Sequence, residues 1–430
     1  MRTRRDFLKA SLAAAGGAAA PAVLPAFRPS ALALAAEVGG DRRAAADVAA
    51  DEDFWTTVQR AFDVDRTIVN LNNGGVSPTP THVLDAMMRD LRFGNGAPAW
   101  EMWQVLEPRV ESVRRDLARE FGCDPEELAI VRNASEAMET LILGLDLARG
   151  DEAVVTTQNY PRILTTWQQR ARRDGVVVRE VTFPAPLPEP AALVEAVRRA
   201  ITPRTRVIEL PHLVNWTGQI TPIGELGALA RERGIELLVD GAHAFAHFPF
   251  TRDELGCDYY GTSLHKWLLA PIGTGFLYVR RENIAALWPL TPAAESKKDD
   301  IRKFEEIGTH PAANHNAIAE ALTFHDGIGG ERKAERLRYL RNRWANRLSR
   351  HPKVRLHTNL DPAHSCAIGN VQIVGMKTGD VVSQLWTKWR IIATPIVHQE
   401  YEGLRVTPNV YTTIEEVDTF TTAMESLAGR

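Results

Sequence analysis

Cysteine is nearly absent from this chain. Only Cys123, Cys257 and Cys366 occur in 430 residues, far apart in sequence. That spacing fits neither a disulfide framework nor a zinc-ligand pattern, so the three read as small buried hydrophobes and no metal site is expected. An excess of one charge is also missing. The chain has 51 basic and 54 acidic residues, a formal net charge of −3, and no basic stripe or run argues for nucleic acid. No apolar run convincingly spans a bilayer; the Ala-rich stretch near the N-terminus is too short and too rich in Gly and Ala. Lysine is scarce, nine among the 51 basic residues, which makes the place of each one informative. What is plentiful is apolar: 44% of residues are hydrophobic and 24% charged. That is enough to bury a large core and to form two or three domains.

The opening segment "TRRDFLKASLAAAGGAAAPAVLPA" pairs Arg4 with Arg5, then places Phe7, Leu8 and Lys9 before a weakly apolar stretch. It resembles a twin-arginine export signal, an address rather than part of the fold. The resemblance implies the export machinery as a partner and a periplasmic or secreted location. Residues 1–36 are then the signal, with small-residue sites such as "ALALAA" (31–36) open to cleavage. Twin-arginine systems carry folded proteins, the route needed by a protein that loads a cofactor in the cytoplasm.

Residues 37–52, "EVGGDRRAAADVAADE", read as a polar linker within an N-terminal arm that ends near residue 75. Over 76–300, strand-like runs alternate with helix-like ones: "AVVTT" (153–157), "VVVREVTF" (176–183), "RVIEL" (206–210), "IELLVD" (235–240) and "GFLYV" (275–279). That alternation predicts an α/β domain with a mostly parallel sheet, and the apolar strands fit burial on both faces. Residues 301–430 read as a smaller α+β domain. It is entered by a long amphipathic helix, "GGERKAERLRYLRNRWANRLSRHP", whose basic face is expected in solvent.

Within this frame Lys266 is out of place. It lies in "DYYGTSLHKWLLAPIGTGFLYVR" among Tyr259, Tyr260, Leu264, Trp267, Leu268 and Leu269, and an unpaired buried ammonium is costly. Other polar residues fall at strand ends, where open α/β sheets bind ligands. Asp240 ends "IELLVD" and is followed by His243; Asn215 follows "RVIELPHLV". In "AIVRNASEAMETLILGL", Asn133 is placed to cap a helix with Glu136 three residues on. The amides from Ala134 onward and Ser135 then form an anion site suited to phosphate. Ser263 and His265 flank the lysine. An amine, a carboxylate and a phosphate cradle at one sheet edge suit pyridoxal 5′-phosphate. The lysine holds its aldehyde as a Schiff base and the carboxylate keeps its pyridine nitrogen protonated.

These segments resemble the class V aminotransferase family, fold type I pyridoxal-phosphate enzymes, from about residue 65 to the end. "PHLVNWTGQITPI" resembles the family's Asn-bearing segment, which implies that Asn215 hydrogen-bonds the ring hydroxyl. "LLVDGAHAFAH" implies Asp240 at the pyridine nitrogen and His243 near the ring. "CDYYGTSLHKW" implies Lys266 as the Schiff-base lysine with Ser263 and His265 on the phosphate. "TTQNYP" implies that Tyr160 stacks on the ring. "FEEIGTH" implies a homodimer in which Thr309 reaches the partner subunit's phosphate. "GLRVTPNVYTTIEEVD" implies that Arg405 binds the α-carboxylate of a small amino-acid substrate.

Cysteine desulfurases of the family carry a reactive cysteine on the loop before that arginine. Here the loop reads "IIATPIVHQEYEGLR" and has none, while Cys366 is expected to start a strand. His243 and Tyr160 resemble the isopenicillin N epimerase-like branch, which also includes aminotransferases and lyases. The resulting expectation is a pyridoxal-phosphate enzyme acting at Cα, with transamination first and epimerisation or elimination as alternatives. A binding protein that keeps the fold without turnover is a further alternative. Trp100 and His398 are expected to pack structurally more than to line the pocket.

Overall fold

The computed structural model describes residues 31–429, so Arg4, Arg5 and the stretch up to residue 30 lie outside the described residues. In chain order the strands are β1 (Val69–Asn70), β2 (Leu128–Val131), β3 (Glu152–Thr156), β4 (Val177–Val181), β5 (Thr205–Pro211), β6 (Glu236–Asp240), β7 (Tyr259–Ser263), β8 (Gly275–Val279), β9 (Val354–Leu356), β10 (Gly369–Ile373), β11 (Ile391–Ile392), β12 (Thr394–Val397) and β13 (Glu402–Val406). The helices used below are α1 (Ala31–Gly39), α2 (Ala45–Ala49), α3 (Ala134–Gly144), α4 (Pro161–Asp174), α5 (Ile318–Ile328) and α6 (Gly330–Leu348).

Seven strands form one sheet in the order β2-β8-β7-β6-β5-β3-β4. Strands β3 to β7 pair in parallel. Only β8 is reversed, antiparallel to both β2 and β7. This is the mostly parallel α/β sheet expected from the sequence. Successive strand residues point to opposite faces, so Leu237 and Val239 enter one core while Leu238 enters the other. Burial on both faces explains the unbroken apolar runs. Strand β4 is the exception: it lies at the sheet edge, and Val177 is exposed.

Toward the C-terminus, β12-β13-β10-β9 form an antiparallel sheet. Strand β1 pairs in parallel with β11, and Asn72 bridges Thr407. The segment after residue 68 is thereby tied beside the strand that carries Arg405.

Two expectations fail. Residues 37–52, read as a polar linker, form the end of α1 and all of α2. Leu34 and Val38, one helical turn apart, are buried with Phe324 and Ile328 of α5, and Val48 of α2 is buried in the same core. Residues 31–36, assigned to the export signal, therefore belong to a packed helix. The polar face of that segment hides a short apolar stripe that only a partner helix completes. The basic face of α6 is not simply solvated either, since Lys333, Arg336 and Arg341 are buried. Lys333 donates to the Trp267 carbonyl, Arg336 pairs with Glu52 and donates to the Ala49 carbonyl, and Arg341 donates to Ser365 and the Leu360 carbonyl. Arg343 and Arg347 do face solvent, in ion pairs with Asp418 and Glu425.

Candidate active site

The carboxyl ends of β5, β6 and β7 meet the N-terminus of α3 around a cavity of about 540 Å³. Ala134, Ser135, Tyr160 and Asn215 line it, as do Asp240, His243, Ser263, His265 and Lys266. Nine of the eleven residues singled out in the sequence thus share one cavity. Thr309 does not line it and is exposed. Arg405 lies just behind the wall, donating from Nη1 to the carbonyl of Asn215 at 3.3 Å.

Asp240 closes β6. A Cβ on the next residue, Gly241, would fall 1.9 Å from the Tyr260 ring, so only glycine lets the chain turn there toward His243. The Asp240 carboxylate accepts from the Ala242 N–H at 3.0 Å. Burial pushes its pKa up, while that N–H and Lys266 pull the other way. A buried carboxylate with so little compensation suits a protonated ring nitrogen as partner.

Lys266 is partly accessible because it faces the cavity. Its amine is nonetheless enclosed by protein, and that desolvation brings its pKa down to about 8, with Asp240 opposing and Arg405 adding to the effect. Lys266 Nζ lies 3.2 Å from His243 Nε2, and Trp267 Nε1–H donates to His243 Nδ1 at 3.4 Å. Burial, then Lys266 and Arg405, hold His243 well below its ordinary pKa, so the ring is neutral. With Nδ1 accepting, the single proton is assigned to Nε2, on the side of the Lys266 amine.

At the opposite end, Asn133 caps α3 as expected, accepting from the Glu136 N–H at 2.9 Å. The Ala134 N–H already donates to Ser263 Oγ at 2.9 Å, which ties the helix to β7. Ser135, Ser263 and His265 remain on the cavity wall, hydroxyls and an imidazole of the kind that could hold a phosphate. Tyr160 stands at the start of α4 and lines the side of the cavity. Its neighbour Asn159 is clamped, accepting from the Thr156 N–H at 3.1 Å and donating to Glu209 Oε2 at 2.5 Å. Sequence reasoning missed Glu209; the acidic residue inside the apolar run "RVIEL" was the available signal.

Arg405 is 7% exposed, and burial lowers its pKa to about 10. Its Nη2 donates to Asn72 Oδ1 at 2.7 Å and to Thr394 Oγ1 at 3.3 Å, while Nε is buried without a partner. No carboxylate pairs with it among the described residues. A buried guanidinium with only neutral acceptors is ready for an anionic ligand. Asn72 was also missed from sequence. These residues fit pyridoxal phosphate: an amine, a carboxylate, a helix N-terminus with hydroxyls, and Tyr160 line one cavity of about 540 Å³.

Several minor residues differ from expectation. Cys366 is buried three residues ahead of β10, with Sγ 3.7 Å from the His247 and Ala334 carbonyls, and Cys123 is only half-buried. No cysteine lines the cavity. Trp100 is not packed but 64% exposed. His398 does pack, with its ring 4.6 Å from that of Trp216.

The chain is similar to isopenicillin N epimerase of Amycolatopsis lactamdurans, 31% identical over 393 residues that cover 87% of this chain and 98% of that protein. A probable cysteine desulfurase of Synechocystis is 26% identical, covering 84% and 90% of the two chains. The solved cysteine desulfurase CsdA of Escherichia coli superposes with a TM-score of 0.76 at 22% identity, over 86% of this chain and 98% of that one. A C-DES variant with glycine covalently linked to pyridoxal phosphate superposes with a TM-score of 0.74 at 22% identity, over 84% and 97%. The family described as aminotransferase class V matches residues 69–420, and this chain, built on the same fold around the site just described, belongs to it.

Proposed function

We propose that the protein is a pyridoxal-phosphate enzyme that removes and returns the Cα proton of a small amino acid, with epimerisation as the net reaction. The observation that carries the chemistry is the Lys266 amine, its pKa lowered to about 8 by burial, 3.2 Å from His243 in a cavity that also holds Asp240. Bound pyridoxal phosphate supplies an aldehyde that condenses with amines and a ring that accepts the electrons left at Cα. Asp240 holds the proton on the ring nitrogen. Lys266 Nζ, once free, would take the Cα proton with His243 packed 3.2 Å away to position it, and inversion would follow from return of a proton to the opposite face of Cα. Arg405 anchors the α-carboxylate and fixes which Cα bond faces the amine.

The sequence reading put transamination first. The similarity to an isopenicillin N epimerase over 98% of its length favours epimerisation instead. Cysteine desulfuration through a protein thiol is disfavoured, because no cysteine lines the cavity. The test is incubation of holoenzyme with single amino acids in D2O. Epimerisation predicts Cα-deuterated product of inverted configuration with the cofactor's visible band retained. Keto-acid formation with bleaching of that band would make the enzyme a transaminase, and release of a β-substituent would make it a lyase.

The same proposal includes a homodimer and export. Trp100, Trp288 and Ile272, exposed at 64%, 69% and 68%, are apolar side chains that a second copy would cover, and Thr309 is exposed as well. The Arg4-Arg5 pair supports the twin-arginine machinery as export partner and a periplasmic or secreted location.

A further inference from the structure

Asn72 joins the N-terminal segment to the carboxylate anchor by one oxygen. Its Oδ1 accepts from Arg405 Nη2 at 2.7 Å and from Thr394 Oγ1 at 2.6 Å. A guanidinium can only donate, so the amide oxygen must face Arg405, and Nδ2 must point the other way. No protein acceptor takes Nδ2 among the described residues, and that atom is not sealed from solvent. Asn72 is half-buried, on the wall of a second cavity of about 470 Å³ that shares no lining residue with the first.

Backbone pairing makes the arrangement rigid. Asn73 N–H donates to the Thr407 carbonyl at 3.3 Å, Gly74 N–H to Thr407 Oγ1 at 2.9 Å, and Gly75 N–H to the Asn72 carbonyl at 3.0 Å. Gly75 lines the main cavity. A Cβ there would lie 3.3 Å from both Asn72 Oδ1 and Nδ2. Asn72 itself does not form the wall of the main cavity; the missing side chain at Gly75 leaves a gap between the two.

We infer that Asn72 is a second recognition group for the substrate's α-carboxylate, holding the Arg405 guanidinium with Oδ1 and donating to the carboxylate with Nδ2. Gly75 is the window through which the substrate reaches it. The inference rests on the reading of Arg405 as the carboxylate anchor.

The test uses holoenzyme and two probes with the same aminooxy group, aminooxyacetate and O-methylhydroxylamine. Each displaces the Lys266 amine from the cofactor carbon and bleaches its visible band; only aminooxyacetate carries a carboxylate. The readout is the ratio of their second-order rate constants. Asn72→Ala should lower this preference about tenfold and Asn72→Asp about a hundredfold, because the aspartate repels the carboxylate and occupies Arg405. The O-methylhydroxylamine rate should stay within about twofold of wild type, the scale of a change that leaves the carbon itself untouched. Gly75→Ala, which leaves both side chains in place, should lower the same preference and serves if the Asn72 variants fail to fold. Equal changes for both probes would assign Asn72 a structural role only, and an unchanged ratio in the Asn72 and Gly75 variants would also overturn the inference. If Arg405→Lys leaves the ratio unchanged as well, the anchor reading itself fails; if only Arg405→Lys lowers it, Asn72 alone is excluded.

Discussion

Glu209 shows how one residue shapes the site without lining it. It is fully buried in β5, and its Oε2 accepts from Asn159 Nδ2 at 2.5 Å and from Trp167 Nε1 at 3.2 Å. Its Oε1 is buried with no partner. Burial first, and then the Asp240 charge, push its pKa up to about 8. The acid is therefore mostly neutral at pH 7, where it clamps the turn ahead of Tyr160. Glu209→Gln should preserve both accepted bonds and cost under about 1 kcal/mol. Glu209→Ala leaves Asn159 and Trp167 unpaired beside a cavity and should cost about 2–4 kcal/mol. Thermal unfolding of the two variants at pH 7 is the check; equal destabilisation would mean that Glu209 is ionised in the fold. At this scale Lys266 was legible, since a lysine among aromatics has no structural excuse in sequence. Glu209 and Asn72 were not, because their partners lie 50 and 333 residues away.

Helix α6 makes the corresponding point for an element. Its sequence reads as an amphipathic helix with charges for solvent, yet it runs under the Lys266 loop. Lys333 donates to the Trp267 carbonyl and lies 3.4 Å from His325 Nδ1, whose Nε2 is 3.3 Å from Glu120. Burial lowers the Lys333 pKa from 10.5 to about 7, against the pull of Glu120 and Cys366. The folded state then binds fewer protons than the unfolded chain between those two values. Its contribution to stability therefore rises with pH across that window, by up to about 1.4 kcal/mol per pH unit. Below about pH 7 the amine is charged in both states and the slope vanishes. Lys333→Met should remove that slope. Urea unfolding at several values from pH 7 to pH 10 would show it, and a variant as pH-dependent as wild type would refute the assignment.

The whole molecule is closed by its N-terminal segment. Helix α1 covers α5, β1 adds to β11 and Asn72 bonds Arg405, so residues before 75 reach both the core and Arg405. A chain beginning at residue 31 keeps α1 whole. One beginning at residue 40 loses Leu34 and Val38, both 2% exposed, and should lose about 3–6 kcal/mol at the usual value for burying such side chains. Equal melting temperatures for the two truncations would mean that α1 contributes nothing to the fold. Among the described residues no helix is long and apolar enough to cross a membrane.

The sequence by itself determined the parallel sheet and the residues gathered at its edge. Strand burial on both faces leaves continuous apolar runs, and ligand residues follow those runs at fixed chain positions, so both features are local. Only the tertiary structure decided which charges are buried and how the anchor is held. The buried arginines of α6 find Glu52, Ser365 and backbone carbonyls, and Arg405 finds Asn72 across 333 residues. A side chain's charge can be read from its letter. Whether that charge is solvated, paired or kept waiting for a ligand depends on what the fold packs against it.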